Sequence, residues 1–267
     1  VSATGRRTLA PPQRRRAAVL ERRTYGAYVV LRVADAGPPP RPGQFAMLAA
    51  VQRWGGGEGE RPFLPRAFSV MRWRDGVADF LLEDVGPGTK RLCELEAGEE
   101  LWLLGPLGLG FDLDRSNRPL LIGGGVGIAP LAILADELDA PTILLGFRDA
   151  AHAEGAALLH DPRVATDDGS VGHRGRVTDL LLEELERDRD VQVCACGPPA
   201  MLEAVRALCA ERDVPAQLAL ESGMACGFGA CFGCVVPTRQ GYVRLCLEGP
   251  VLDAAQLDTC LIPGTGH

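Results

Sequence analysis

Between residues 25 and about 111 the apolar positions come in short runs, at 27–33, 45–51, 67–73, 77–83 and 100–104, each bounded by glycine or proline. Runs of that length and punctuation predict strands, and many of them at such spacing predict a closed antiparallel barrel. Pro42-Gly43 and Gly105-Pro106-Leu107-Gly108 read as tight turns. A helical interruption is predicted near Gly88-Thr89, where residues 90–96 follow a start of small residues. After Pro119 the pattern changes. An apolar strand, Pro119-Leu-Leu-Ile122, runs into Gly123-Gly-Gly-Val-Gly127 and then an apolar helix over 131–138, which is a strand–turn–helix unit. Further strands at 142–146 and 191–195 alternate with helices at 177–187 and 200–212, predicting a parallel, doubly wound sheet. Beyond Val214 comes a cysteine-rich segment too short for a large core of its own. The chain therefore divides into a basic mobile tail (1–23), a β-barrel (24–115), an α/β domain (116–213) and a small C-terminal domain (214–267), a multi-domain α+β architecture.

Composition narrows this picture. A length of 267 residues with 46% hydrophobic content fits two or three compact domains. No apolar run reaches the roughly 18 residues a transmembrane helix needs, so no membrane association is expected. A net charge of −7 argues against a general nucleic-acid binder, which would carry a basic domain. The first 23 residues hold Arg6, Arg7, Arg14, Arg15, Arg16, Arg22 and Arg23 against one acid, Glu21, with Pro11-Pro12 between. A mobile tail is the simplest reading. An organelle transit peptide is the alternative, although the serine richness and amphipathic spacing of such peptides are missing.

The nine cysteines carry the strongest chemical signal. Cys226-Gly-Phe-Gly-Ala-Cys231-Phe-Gly-Cys234, with Cys246 after eleven intervening residues, matches the C-x4-C-x2-C…C spacing that ligates a 2Fe–2S cluster in plant-type ferredoxins. A zinc knuckle or buried structural cysteines are the other readings, but zinc sites usually pair two C-x2-C units and one occurs here. Four free thiolates require a reducing compartment, so the cytoplasm is expected. Cys93, Cys194, Cys209 and Cys260 fall at no ligand spacing and read as small core or surface residues. Gly123, Gly124, Gly125 and Gly127 would let a phosphate approach the backbone at a helix start. The run is not a strict G-x-G-x-x-G, and a glycine turn alone is a weak signal.

Several motifs occur together and in order: Arg66-Ala-Phe-Ser69, Gly86-Pro-Gly-Thr89, Gly105-Pro-Leu-Gly108, Gly123-Gly-Gly-Val-Gly127, Thr166-Asp-Asp-Gly-Ser170, Cys196-Gly-Pro198 and then the four cysteines. That series resembles the ferredoxin reductase-type flavoproteins and, with the cysteines placed last, the electron-transfer subunits of type B dihydroorotate dehydrogenases, over about residues 25–258. Met224-Ala-Cys226 and Glu248-Gly-Pro-Val251 resemble the same subunits. The resemblance implies a barrel that binds FAD, a nucleotide domain that binds NAD and a C-terminal 2Fe–2S domain. It also implies a separate FMN-containing catalytic subunit as partner, in a heterotetramer with two subunits of each kind. Electrons in that family run from dihydroorotate through FMN, the 2Fe–2S cluster and FAD to NAD+.

By the same resemblance, Arg66, Ala67, Phe68 and Ser69 contact FAD, with Ser69 beside the flavin atom that accepts hydride and the Arg66 fork suited to the pyrophosphate. Read alone, those four residues are an ordinary strand. Gly88 and Thr89 would add N–H groups and a hydroxyl to the phosphates, or form a plain capping turn. Leu81, Leu82 and Glu83 occupy the strand that contacts FAD. An aromatic and an Arg are usual there, so Glu83 stands where a positive group is expected and only backbone contact is assigned. Cys196 would border the hydride path, with Gly197 and Pro198 in the adjoining turn, or be a buried strand-end cysteine. Asp167 and Asp168 favour NAD over NADP if they lie near the adenosine ribose, and Arg148 is the nearby charge acting the other way. His152, His160 and His173 have no plausible metal partner and read as surface residues. Two alternatives stand beside this reading. One is a reductase component serving an oxygenase, hydrogenase or sulfur-reducing partner; the other is a ferredoxin-like carrier whose flavin and nucleotide sites have decayed.

Overall fold

The structure is a computed structural model describing residues 13–55, 62–113 and 117–261. Six strands close an antiparallel barrel: β1 (Arg14–Tyr25), β2 (Tyr28–Ala34), β3 (Phe45–Ala50), β4 (Arg66–Arg74), β5 (Val77–Glu83) and β6 (Glu100–Leu107), in the order β1-β2-β5-β4-β3-β6. Inward positions alternate along these strands, and Ala17, Val19, Leu31, Val33, Leu48, Phe80, Leu82, Leu101 and Leu103 fill the barrel. A short helix, α1 (Pro87–Cys93), lies between β5 and β6.

The barrel corrects one expectation directly. Residues 14–23 are not a mobile tail but most of β1, paired with β6 over residues 14–18 and with β2 over residues 19–25. Ala17 and Val19 point inward, and Arg14, Arg16, Arg22 and Arg23 are exposed, while Arg15, in phase with Ala17, is largely covered. Arg14 and Arg16 lie over the Trp102 ring at 4.2 and 5.5 Å, and Arg15 bonds Asp35. A strand whose outer face is this charged carries its period-2 signal on only two small apolar residues. The first twelve residues of the predicted tail lie outside the described residues.

The second layer is a seven-stranded sheet built around β7 (Arg118–Gly124), β8 (Thr142–Phe147), β9 (Arg163–Thr166), β10 (His173–Arg174) and β11 (Val191–Cys196), all parallel. α2 (Ala129–Ala135) and the short α3 (Ala150–Ala153) cover one face; α4 (Val177–Arg187) and α5 (Pro199–Glu211) cover the other. This is the doubly wound arrangement the alternating pattern predicted. The expected boundary at residue 214 moves, because β12 (Ala216–Ala219) pairs parallel with β11, and β15 (Val251–Asp253) returns to pair antiparallel with β12. The cysteine segment is thus a loop leaving and re-entering the nucleotide sheet. It carries the hairpin β13 (Val235–Thr238) and β14 (Gly241–Arg244) and the single turn α6 (Leu245–Glu248). Its apolar residues join a core already present: Cys234, Val236, Leu245 and Cys246 pack in one cluster with Phe45, Met47 and Leu107 of the barrel and Leu218 and Leu252 of the sheet.

Barrel and sheet are fastened side by side. Ala27 N–H donates to the Ala151 carbonyl at 3.1 Å, and Arg72 bonds Asp136 at 2.9 Å and the Leu158 carbonyl at 2.7 Å. Among the described residues no helix is long and apolar enough to cross a membrane.

Candidate functional site

Two adjoining cavities, each of about 380 Å³, lie along the seam between barrel and sheet. The inner one begins at Ala67, Phe68 and Ser69 on β4, passes the glycine turn after β7 and ends at Glu221, Ser222 and Met224, two residues short of Cys226. The outer one is walled by Asp167, Arg176, Val177 and Met201, at the C-terminal ends of the parallel strands, where open α/β sheets bind ligands. Glu83, Gly124, Gly125, Arg148 and Pro198 line both.

The residues marked in the sequence divide into those that face a cavity and those that shape it. Ser69 stands opposite Phe45 in the β3–β4 register, with both side chains on the inner cavity. Leu81 faces the same space, whereas Leu82, pointing the opposite way along the strand, fills the barrel. Arg66 lies across the start of α1: a Cβ on Gly88 would stand 2.6 Å from Arg66 Nε, so the glycine is the space the guanidinium occupies. Thr89 lines the cavity, but its hydroxyl accepts from the Val85 and Gly86 N–H groups at 2.9 and 3.0 Å and donates to the Gly86 carbonyl. The capping turn uses the hydroxyl, so it is not free for a phosphate.

The glycine turn has a similar division. A Cβ on Gly127 would sit on the Cys196 carbonyl oxygen, and one on Gly124 would stand 2.6 Å from Met201 Sδ. Gly123 packs against Leu145, Ile128 and Leu131, and Gly197 against Met201. Gly124, Gly127 and Gly197 allow β7, β11 and α5 to approach each other, and Gly123 lets β7, β8 and α2 do so. Gly125 lines both cavities and is the glycine of the run where a Cβ would meet no close neighbour, Tyr28 Oη standing 4.0 Å away. Cys196 borders the inner cavity at the end of β11 but is only 3% exposed. Burial, with the negative charge of Glu221 added, pushes its thiol well above the usual range, so it stays neutral.

Glu83 does more than the backbone contact assigned to it. Its carboxylate accepts from Arg148 Nη2 at 2.8 Å and lies 3.3 Å from His152 Nε2, an ionic bridge from barrel to sheet. His152 is buried rather than on the surface, with Nδ1 2.6 Å from Asp149 Oδ1 and its other face toward Arg148. His160 is exposed, and the half-exposed His173 lies 3.3 Å from Asp179. Asp167 reaches the outer cavity, while Asp168 turns back to Ser170. Tyr28 and Glu221 are cavity residues that no sequence spacing singled out; Tyr28 packs there against His152, far along the chain.

In the cysteine loop, Cys226 and Cys231 lie toward the surface while Cys234 and Cys246 are buried. Gly227 is at φ +79°, and a Cβ there would stand 2.5 Å from Met47 Cγ, so loop and barrel meet through a residue that only glycine suits. Burial acts to raise the Cys226 thiol, but N–H groups of Cys231, Phe228 and Ala230 and the Cys231 side chain bring it down to about 6. Burial and then Cys234 push Cys246 up to about 12. Cys226 is thus paired with Cys231 and Cys246 with Cys234, and the Cys246 N–H approaches Cys234 Sγ at 3.5 Å. No three of the described His, Cys, Asp or Glu side chains converge on a point for one metal ion. Two pairs of thiols amid N–H donors are the donor set that two irons, each taking two thiolates, require. Cys93, Cys194, Cys209 and Cys260 are all buried core residues.

A flavin-sized cleft at a six-stranded barrel, joined to a parallel nucleotide-binding sheet, defines the ferredoxin reductase-type fold. An NADH-dependent reduced ferredoxin–NADP oxidoreductase matches 91% of this chain and 90% of its own at TM-score 0.78 and 24% identity. The ferredoxin reductase of carbazole 1,9a-dioxygenase matches 78% of this chain and 68% of its own at TM-score 0.65 and 24% identity. Family models place the oxidoreductase NAD-binding domain at residues 150–207 and the iron–sulfur cluster binding domain of dihydroorotate dehydrogenase B at 221–258. The electron transfer subunit of dihydroorotate dehydrogenase B (NAD(+)) from Caldanaerobacter subterraneus subsp. tengcongensis is 38% identical over 83% of this chain and 88% of its own. That from Clostridium acetobutylicum is 36% identical over 81% and 86%. The chain belongs to this family, the electron transfer subunits of dihydroorotate dehydrogenase B, whose cofactors are FAD, 2Fe–2S and NAD.

Proposed function

We propose that this chain takes electrons from an FMN-containing dihydroorotate dehydrogenase catalytic subunit and delivers them to NAD+, in a cytoplasmic heterotetramer with two subunits of each kind. The observation that carries the reading is the inner cavity itself. Its wall runs without a break from Ser69, past Gly125, to Met224 beside the first cluster cysteine. A flavin bound there exchanges hydride with a nicotinamide and single electrons with an iron–sulfur cluster.

The chain's own residues set the conditions for that exchange. Arg66, held across Gly88 and over the Trp54 ring at 6.0 Å, meets the FAD pyrophosphate. Ala67 and Phe68 hold the flavin against β4, and the Ser69 hydroxyl is placed to hold or move a proton at the hydride-accepting nitrogen. Leu81 and the backbone of Leu82 and Glu83 wall the same site. Gly123, Gly124, Gly125, Gly127, Gly197 and Pro198 shape the entry for NAD, whose adenosine lies in the outer cavity, with Asp167 disfavouring a 2′-phosphate. Cys196, neutral and almost fully buried, packs beside the nicotinamide and excludes water. Cys226, Cys231, Cys234 and Cys246 hold the cluster, with Cys231 toward the surface where the partner docks.

Anaerobic addition of NADH to the purified chain tests this. Bleaching of the flavin bands followed by reduction of the cluster is expected. Cluster bands with no flavin bands would leave only the carrier reading.

A further inference from the structure

Tyr28, the first residue of β2, is wholly buried, its ring edge-on to His152 with centroids 5.6 Å apart and closed in by Gly155. The side chain nonetheless lines the outer cavity. Its hydroxyl has no hydrogen-bond partner among the described residues. Buried hydroxyls almost always find a partner, and one left without it is costly. Tyr28 Oη lies 4.0 Å from the place a Cβ on Gly125 would take, so it abuts a glycine of the turn that lines both cavities.

That edge is where a dinucleotide has to cross. With adenosine outside and nicotinamide inside, the pyrophosphate passes the residues the two cavities share. Arg148 is among them, its side chain 62% exposed and steered by Glu83. Burial and the charge of Glu83 raise the Tyr28 phenol, against the opposing pull of Arg148, so it remains a donor at neutral pH.

We propose that Tyr28 and Arg148 are positioning residues for the pyridine dinucleotide, the Tyr28 hydroxyl donating to a pyrophosphate oxygen beside Gly125 and Arg148 supplying the countercharge. The inference rests on NAD occupying the outer cavity. Glu83, which turns Arg148 toward the edge, also places a negative charge near the phosphates and weakens their binding.

Calorimetry on the holo chain with ADP-ribose, which has the pyrophosphate but no nicotinamide, and with adenosine, which has neither phosphate, separates the two assignments. Failure of wild-type protein to bind either would overturn the outer cavity as the NAD site. If wild type binds, Tyr28→Phe is expected to weaken ADP-ribose about 10-fold, a loss of ~1.4 kcal/mol, leaving adenosine unchanged and the melting temperature no lower. Glu83→Gln is expected to tighten ADP-ribose several-fold. Unchanged ADP-ribose affinity in Tyr28→Phe would overturn the role of the hydroxyl, as would an equal loss for adenosine. Unchanged affinity in Glu83→Gln would overturn the placement of the phosphates beside Arg148.

Discussion

Gly88 and Gly127 show how a missing side chain can be the functional feature. Gly88→Ala would drive a methyl into Arg66 and is expected to release FAD about 10-fold more readily while the fold survives, read by flavin retention on gel filtration. Gly127→Ala would drive one into the Cys196 backbone, which cannot yield. Overpacking of that kind costs about 1–3 kcal/mol, and denaturant unfolding of the holo chain should show it. The motif residues were legible in the sequence, but their division of labour was not. Thr89 spends its hydroxyl on its own turn, and His152 is buried with its ring against Tyr28 and its Nε2 3.3 Å from Glu83. The capping turn was one of the two readings the sequence left open for Thr89, whereas the barrel residues against His152 are brought in by the fold, and local spacing does not encode them.

At the scale of elements, strands that alternate or run apolar were readable: β5 and α4 fall where the pattern placed them. β1 was not, because its outward face is a row of arginines. β12 and β15 were not either, because short strands of four and three residues carry almost no period. Their place in the nucleotide sheet makes the end of the chain part of that sheet's support. Residues after β15 are anchored on α5, where Glu203 accepts from Cys260 N–H at 2.6 Å and Thr259 Oγ1 at 3.1 Å. Arg206 and those two donors hold the Glu203 carboxyl at about 2 against burial acting the other way. A carboxyl lowered by folding contributes stability that is present above its ordinary value near 4.5 and is lost as pH falls toward 2. Discounted for partial exposure, this amounts to roughly 2 kcal/mol at neutral pH. Glu203→Gln should therefore lower the melting temperature at pH 7, and the gap from wild type should close as the pH is taken below 4.

For the whole molecule, the order of motifs along the chain already implied a flavin barrel, a nucleotide sheet and a cluster. The sequence does not show that the cluster loop is threaded between two strands of the nucleotide sheet and packed on the barrel through Met47. Folding brings the third site back to the first two, so that Met224 lines the same cavity as Ser69. Cys231→Ser, at an exposed position of the loop, should break the path at its first step in this chain without disturbing the cavities. NADH should still bleach the flavin in that variant. The most direct measurement is dihydroorotate-dependent reduction of NAD+ by this chain combined with the catalytic subunit that co-purifies with it. The wild-type pair is predicted to form NADH and the Cys231→Ser pair to form none. NADH formation undiminished by Cys231→Ser, or a wild-type pair inert toward dihydroorotate, would contradict the account.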